Sequence, residues 1–251
     1  MNVGFASLAR SPGASTLWRL AGTLWPAPRR LLIEADPDGG CIATLTGLTL
    51  DPDHASVTTL VAALRHGGDD ELVWRHTQTL PGEIPIVPVA SVAEQAVRAV
   101  AGLVERWPTI AAALAPTADI LVDLGRLRPG SPAVDLAAGL DVTVVVVRSR
   151  LVELEPLLTQ IATLATRAPI AIVVRGDTPY GEAEIRTAID ARTDRVKVSG
   201  TIADDRRAAT MLEAGGVLAG GWLRRSPLIR TATTVVSAIA ATRPCDVEVG
   251  R

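Results

Sequence analysis

The chain has 251 residues, 48% of them apolar and 21% charged, a globular composition long enough to bury a sizeable core. Its 25 basic side chains nearly cancel 27 acidic ones, and a net charge of −2 excludes a protein that coats nucleic acid or an anionic membrane by bulk charge. Two cysteines, Cys41 and Cys245, cannot build a disulfide framework, and no apolar run approaches the roughly 18 residues of a spanning helix. Met1–Phe5 has no basic flank or signal-peptide core, so the expectation is a cytoplasmic protein without membrane insertion. The basic residues are 24 arginines and one lysine, Lys197. Any chemistry that needs a lysine before that position must find a substitute.

In chain order, short aliphatic runs alternate with helical patterns. Val3–Ala6 and Arg30–Ala35 read as strands, with a helix over Ser15–Trp25 between them. Ile84–Val89 is a weaker strand, because Pro85 and Pro88 suit an edge or irregular position. A helix follows over Ser91–Trp107. Ile120–Asp123, Val142–Val147, Ile170–Val174 and Val196–Val198 complete the strands, and Leu151–Thr166 carries a helical repeat. Ser226-Pro227 opens a last helix to about Ala241, the serine as N-cap and the proline at the first helical position. The strands are apolar on consecutive residues, which marks burial on both faces. The expectation is an α/β fold: a single domain over 1–241 with a mostly parallel sheet flanked by helices on both faces, then a frayed tail over 242–251.

In such sheets ligands bind beyond the carboxyl ends of the strands. The first strand runs into Ser7-Leu8-Ala9-Arg10-Ser11-Pro12-Gly13-Ala14-Ser15-Thr16, a turn of small residues that opens a helix. That geometry gathers backbone N–H groups around a phosphate, although the same composition also makes an ordinary tight turn. The second strand ends Glu34-Ala35-Asp36-Pro37-Asp38-Gly39-Gly40. These two segments resemble the phosphate loop and the acidic strand end of the ParA/MinD group of deviant Walker ATPases. The resemblance continues through Ala118–Gly125, Asp141–Val147, Ile202–Asp205 and Ser226-Pro227-Leu228, in order, over nearly the whole chain.

The resemblance implies a P-loop NTPase fold with a degenerate Walker A loop. Ala9 stands at the group's signature lysine and Ala14 at the P-loop lysine, while Gly13, Ser15 and Thr16 are kept. It implies a nucleotide site of Arg10, Ser11, Pro12, Gly13, Ala14, Ser15, Thr16 and Arg175 for ATP or ADP. It implies Mg²⁺ at Ser15, Asp36 and Asp123, and, if the protein hydrolyses, Glu34 and Asp36 as the acidic catalytic residues. With both lysines lost, the implied activity is a pseudo-ATPase, or a weak binder that turns over slowly, and a protein with no cofactor at all is the limiting case.

The degenerate loop resembles the TadZ/CpaE-like branch, whose members position pilus and secretion machinery at a pole or membrane site. The implied partners are a second copy, meeting through Pro12, Trp18 and nearby apolar surface, and a protein of a membrane-associated machine. Two alternatives stay open: an active Mg²⁺-ATPase cycling between monomer and dimer, and a DNA-partition protein. The second would use Arg148/Arg150, Arg206/Arg207 and Arg224/Arg225 as a basic stripe. Each acidic or basic residue named here also has an ordinary reading as a solvated strand-end or surface group.

Overall fold

The structure, a computed structural model, describes residues 1–9, 12–51, 53–213 and 221–242. The first half contains β1 (Asn2–Ser7), α1 (Ala14–Leu24), β2 (Arg30–Glu34), α2 (Ile42–Thr46), α3 (Val57–Ala63), α4 (Asp70–Arg75), β3 (Gln78–Leu80), β4 (Ile84–Val87) and α5 (Ala93–Leu114). The second half contains β5 (Asp119–Arg126), α6 (Pro132–Ala138), β6 (Val142–Arg148), α7 (Leu151–Ala165), β7 (Ile170–Arg175), α8 (Glu182–Asp190), β8 (Val196–Ile202), α9 (Arg206–Glu213) and α10 (Pro227–Ala240). The tail from 243 onward lies outside the described residues, as do Arg10 and Ser11.

The strands form one sheet in the order β3-β4-β2-β5-β1-β6-β7-β8. Every described pairing is parallel except β3 with β4. The central strands are apolar on both faces because helices cover both. On one face, Leu31, Ile33, Ile120 and Val122 pack with Val100, Leu103 and Trp107 of α5 and with Leu157 and Ile161 of α7. On the other, Val3, Phe5, Leu32 and Leu121 pack with Leu17 and Trp18 of α1 and with Val235 and Ile239 of α10.

Two expectations need correction. The Ile84 run is not an edge: β4 is flanked by β2 and by the short antiparallel β3, which the sequence pattern does not reveal. Pro85 is tolerated because it pairs with Thr79 on the β3 side, while the β2 ladder begins at Ile86. The helix expected to end at Trp107 instead runs through Pro108 to Leu114. Ile110 and Leu114 are fully buried there. Their burial, about 1.5–3 kcal/mol for each side chain, is comparable to the roughly 3 kcal/mol that an interior proline costs.

Ser226 does cap α10 as its sequence implies, its hydroxyl accepting the Ile229 N–H at 3.3 Å. No helix among the described residues is long and apolar enough to cross a membrane.

β1 lies between β5 and β6, so the chain leaves it toward β2 on one side and reaches β6 on the other. A crevice at that switch point, past the carboxyl ends of the strands, is where an open α/β sheet takes its ligand.

Candidate functional site

The loop after β1 enters α1 at Gly13, which sits in the left-handed region with φ 103°. A side chain is strained there, so glycine is the residue that lets the chain turn directly into the helix. Among the described residues no side chain caps this end of α1, and its first turn holds no acidic residue. Its first-turn N–H groups, with the positive end of the helix dipole, therefore face a cleft of about 530 Å³. Pro12, Gly13, Ala14, Ser15, Thr16, Asp36 and Arg175 all line it, so the structure brings together most residues implied by the sequence.

The acidic residues divide into two kinds. Asp123 is buried under the loop, where its carboxylate accepts from the Ser15 hydroxyl and from the Gly125 N–H at 3.1 Å. Burial pushes the Asp123 carboxyl up to about 7, against the lowering by those two hydrogen bonds. Asp36 lies at the cleft wall, also pushed up by burial, and accepts the Asp38 N–H at 2.8 Å. Gly125, with φ 61°, passes so close that a Cβ would overlap the Asp36 carboxyl group.

Glu34 does something different. Its carboxylate accepts three backbone N–H groups, from Cys41 at 2.8 Å, Ile42 at 3.0 Å and Val89 at 3.2 Å. It is buried and does not line the cleft. It ties the segment after β2 to the segment after β4.

Oxygen donors at Ser15, Asp36 and Asp123 suit a hard cation such as Mg²⁺, which binds through one or two carboxylates and completes its shell with water and phosphate. Among the described residues no group of three or more acidic, histidine or cysteine side chains makes a self-contained metal site. The donor set therefore fits a cation that arrives with a phosphate.

Among the described cations of the cleft, Arg175 is the one that the resemblance implies, and the others are the part that sequence reasoning misplaces. Arg126, Arg148 and Arg175 end β5, β6 and β7, and all three line the cleft with Arg150 and Arg206. Arg148, Arg150 and Arg206 belong to the basic stripe expected of a DNA-binding protein. The structure brings them to the space before α1 from different elements: Arg148 ends β6, Arg150 precedes α7 and Arg206 opens α9. The available signal is that three buried strands each finish on arginine.

Arg148 and Arg175 are register partners across β6 and β7. The Arg148 backbone N–H donates to the buried Glu153 at 3.2 Å, and its guanidinium lies 3.6 Å from the same carboxylate. Arg175 donates to the Pro12 carbonyl at 3.2 Å and to Asp204 at 2.6 Å. Arg207, by contrast, lies over the Trp222 ring at 4.3 Å from its centre.

Trp18 is not available as an apolar contact surface. It is buried, and its indole N–H donates to the Leu121 carbonyl at 2.9 Å, so the expected dimer contact through Trp18 is corrected. Trp25 is also buried and donates to Asp119 at 2.8 Å.

No family model and no curated protein sequence matches this chain. Solved structures do. A ParA family ATPase from Chlorobium tepidum superposes with a TM-score of 0.70 at 20% identity, covering 94% of this chain and 98% of its own. The cell division ATPase MinD of Pyrococcus furiosus gives 0.70 at 16% identity, covering 96% and 98%. A plasmid partition protein of Borrelia burgdorferi bound to AMPPNP gives 0.66 at 14% identity, covering 96% and 98%. The chain has the fold of the ParA/MinD ATPases over nearly its full described length.

Proposed function

We propose that this protein is a nucleotide-responsive spatial regulator of the ParA/MinD kind that hydrolyses ATP slowly or not at all. The observation that supports the reading is one cleft that gathers the open N-terminus of α1, Ser15 and Asp36 above the buried Asp123, with Ala14 where the resemblance implies a lysine. Ala14 occupies the first helical position. Phosphoryl transfer depends on positioning and on stabilising charge at the transferred group. Without a lysine on the loop, binding is the activity that remains best supported. The strand-end arginines supply positive charge from the side of the cleft.

When Mg²⁺ accompanies the nucleotide, Ser15 and Asp123 would hold it, with Asp36 nearby, and it would offset phosphate charge. The corresponding role is a scaffold, acting as a homodimer with a partner in a pilus, secretion or conjugation machine of the TadZ/CpaE-like type. Binding and not turnover sets its state. DNA partition is less well supported, since Arg148, Arg150 and Arg206 line the cleft and Arg207 stacks on Trp222.

The test is calorimetric titration with ATP and ADP, with and without Mg²⁺, alongside phosphate release. Saturable binding with a Kd near or below roughly 100 μM, about −5.5 kcal/mol, and negligible turnover is the expected result. Rapid turnover would overturn the regulator reading in favour of an active ATPase. An empty titration would remove nucleotide from the function and leave a scaffold alone.

A further inference from the structure

The lining of the cleft narrows the class of anion it can take. Among the described residues, five arginines, four acidic residues (Asp36, Asp38, Asp204 and Glu213) and no aromatic, leucine, isoleucine or valine side chain line it, the arginines of β6 and β7 lying together on one side. A purine is ordinarily seated against apolar or aromatic surface, with a few polar groups reading its edge. The neighbouring apolar hollow, between Thr16, Ile202, Ala203 and Leu228, offers about 20 Å³, and Arg175 is part of its wall. About 10–15 Å³ of such space already holds one water, so the hollow takes about one or two waters and a base does not enter there without rearrangement.

Resting on the reading of the cleft as an anion site, we propose that it recognises a polyphosphate chain by its charge along its length and does not read a base. One end of the anion meets the first-turn N–H groups of α1. The rest runs toward Arg148, Arg150, Arg175 and Arg206. Arg148 and Arg175 leave adjacent strands at the same register, Arg148 beside the buried Glu153 and Arg175 paired with Asp204 at the cleft mouth. Guanidinium groups fixed in this way present planar paired donors that match phosphate oxygens. The ligand class is a linear polyphosphate, either inorganic or carried by a nucleoside of any base.

Titration of the full chain with sodium tripolyphosphate, ATP, GTP and adenosine separates these sources. Tripolyphosphate, ATP and GTP are expected to bind within about threefold of one another, and adenosine not at all, because charge provides the affinity. Arg150 and Arg206 are exposed, so R150A and R206A keep the fold. Each is expected to weaken all three anions equally, by about fivefold or more. Either nucleoside triphosphate exceeding tripolyphosphate by more than about tenfold overturns this proposal while the nucleotide-regulator reading stands. Unchanged affinities in both variants overturn it in the same way. If no anion binds, both readings fall.

Discussion

The Arg175 guanidinium and the Asp204 carboxylate form an ion pair of 2.6 Å at the mouth of the cleft, one from the end of β7 and the other from the loop after β8. Partial burial raises the Asp204 carboxyl, but the hydrogen bond and charge of Arg175 outweigh it and hold the group below its ordinary range. The pair therefore persists into mild acid. Asp204 is more than a third exposed, so the pair contributes little to stability. Its effect is on the ligand, since the carboxylate competes with any anion for Arg175. D204N is expected to bind ATP about threefold or more tightly with little change in Tm. Calorimetry and thermal melts check this. A loss of affinity would show that Asp204 orients Arg175 and does not compete.

Asp123 sets a pH dependence. Its folded pKa of about 7 stands above the ordinary aspartate value of 3.8, so the folded state binds the proton more tightly. The stability this brings is fully present below about pH 4 and is lost as pH rises through about 7. With chelator present to exclude metal, D123N is expected to lose less Tm than the wild type between about pH 5 and pH 8, the span that brackets the raised value. The amide oxygen can still accept from Ser15 and Gly125, which keeps the local geometry. Parallel pH profiles for the two proteins would show that the buried carboxyl is not the titrating group.

Glu34 separates structure from chemistry. The Ile42 and Val89 N–H groups become buried and unsatisfied in E34A, at about 1–3 kcal/mol each before relaxation, and the Cys41 N–H loses its partner at a more exposed position. E34A is expected to lose several kcal/mol in denaturant unfolding. E34Q keeps one acceptor oxygen and is expected to lose less. E34Q should still bind ATP like the wild type, since the side chain does not line the cleft. A binding defect in a folded E34Q protein would return Glu34 to the site.

The contrast between Glu34 and its neighbours marks what is legible in the sequence. The parallel sheet is legible because runs such as Val142–Val147 are apolar at every step but one, a pattern that suits a strand covered on both faces. The phosphate loop is legible because Gly13 and the hydroxyls after it have a local geometric meaning. Glu34 and Asp36, two positions apart, look alike in sequence. Their difference comes from the distant Val89 N–H, which only the folded register brings to Glu34. The arginines are visible as residues but not as a group. Arg126, Arg148 and Arg175 are scattered along the chain, and the parallel sheet brings them to one end, with Arg148 and Arg175 as register partners and Arg126 across β1 from them.

Ala14 offers the sharpest test of where the positive charge now resides. It is 6% exposed, begins α1 and touches both the core and the cleft. A lysine there incurs a small penalty at the positive end of the helix dipole, about 0.3–1 kcal/mol. Its stem can follow the cleft wall toward Asp36, and its ammonium then meets the phosphates beside the first-turn N–H groups. If the missing loop lysine limits affinity, A14K binds Mg²⁺-ATP about tenfold more tightly than the wild type. A14M, with similar bulk and no charge, should not. Phosphate release should rise in A14K if the same cation limits hydrolysis. A folded A14K that binds no better than A14M would mean that Arg175 and its neighbours already saturate the site with charge. The arginines would then stand in the lysine's place and not merely beside it.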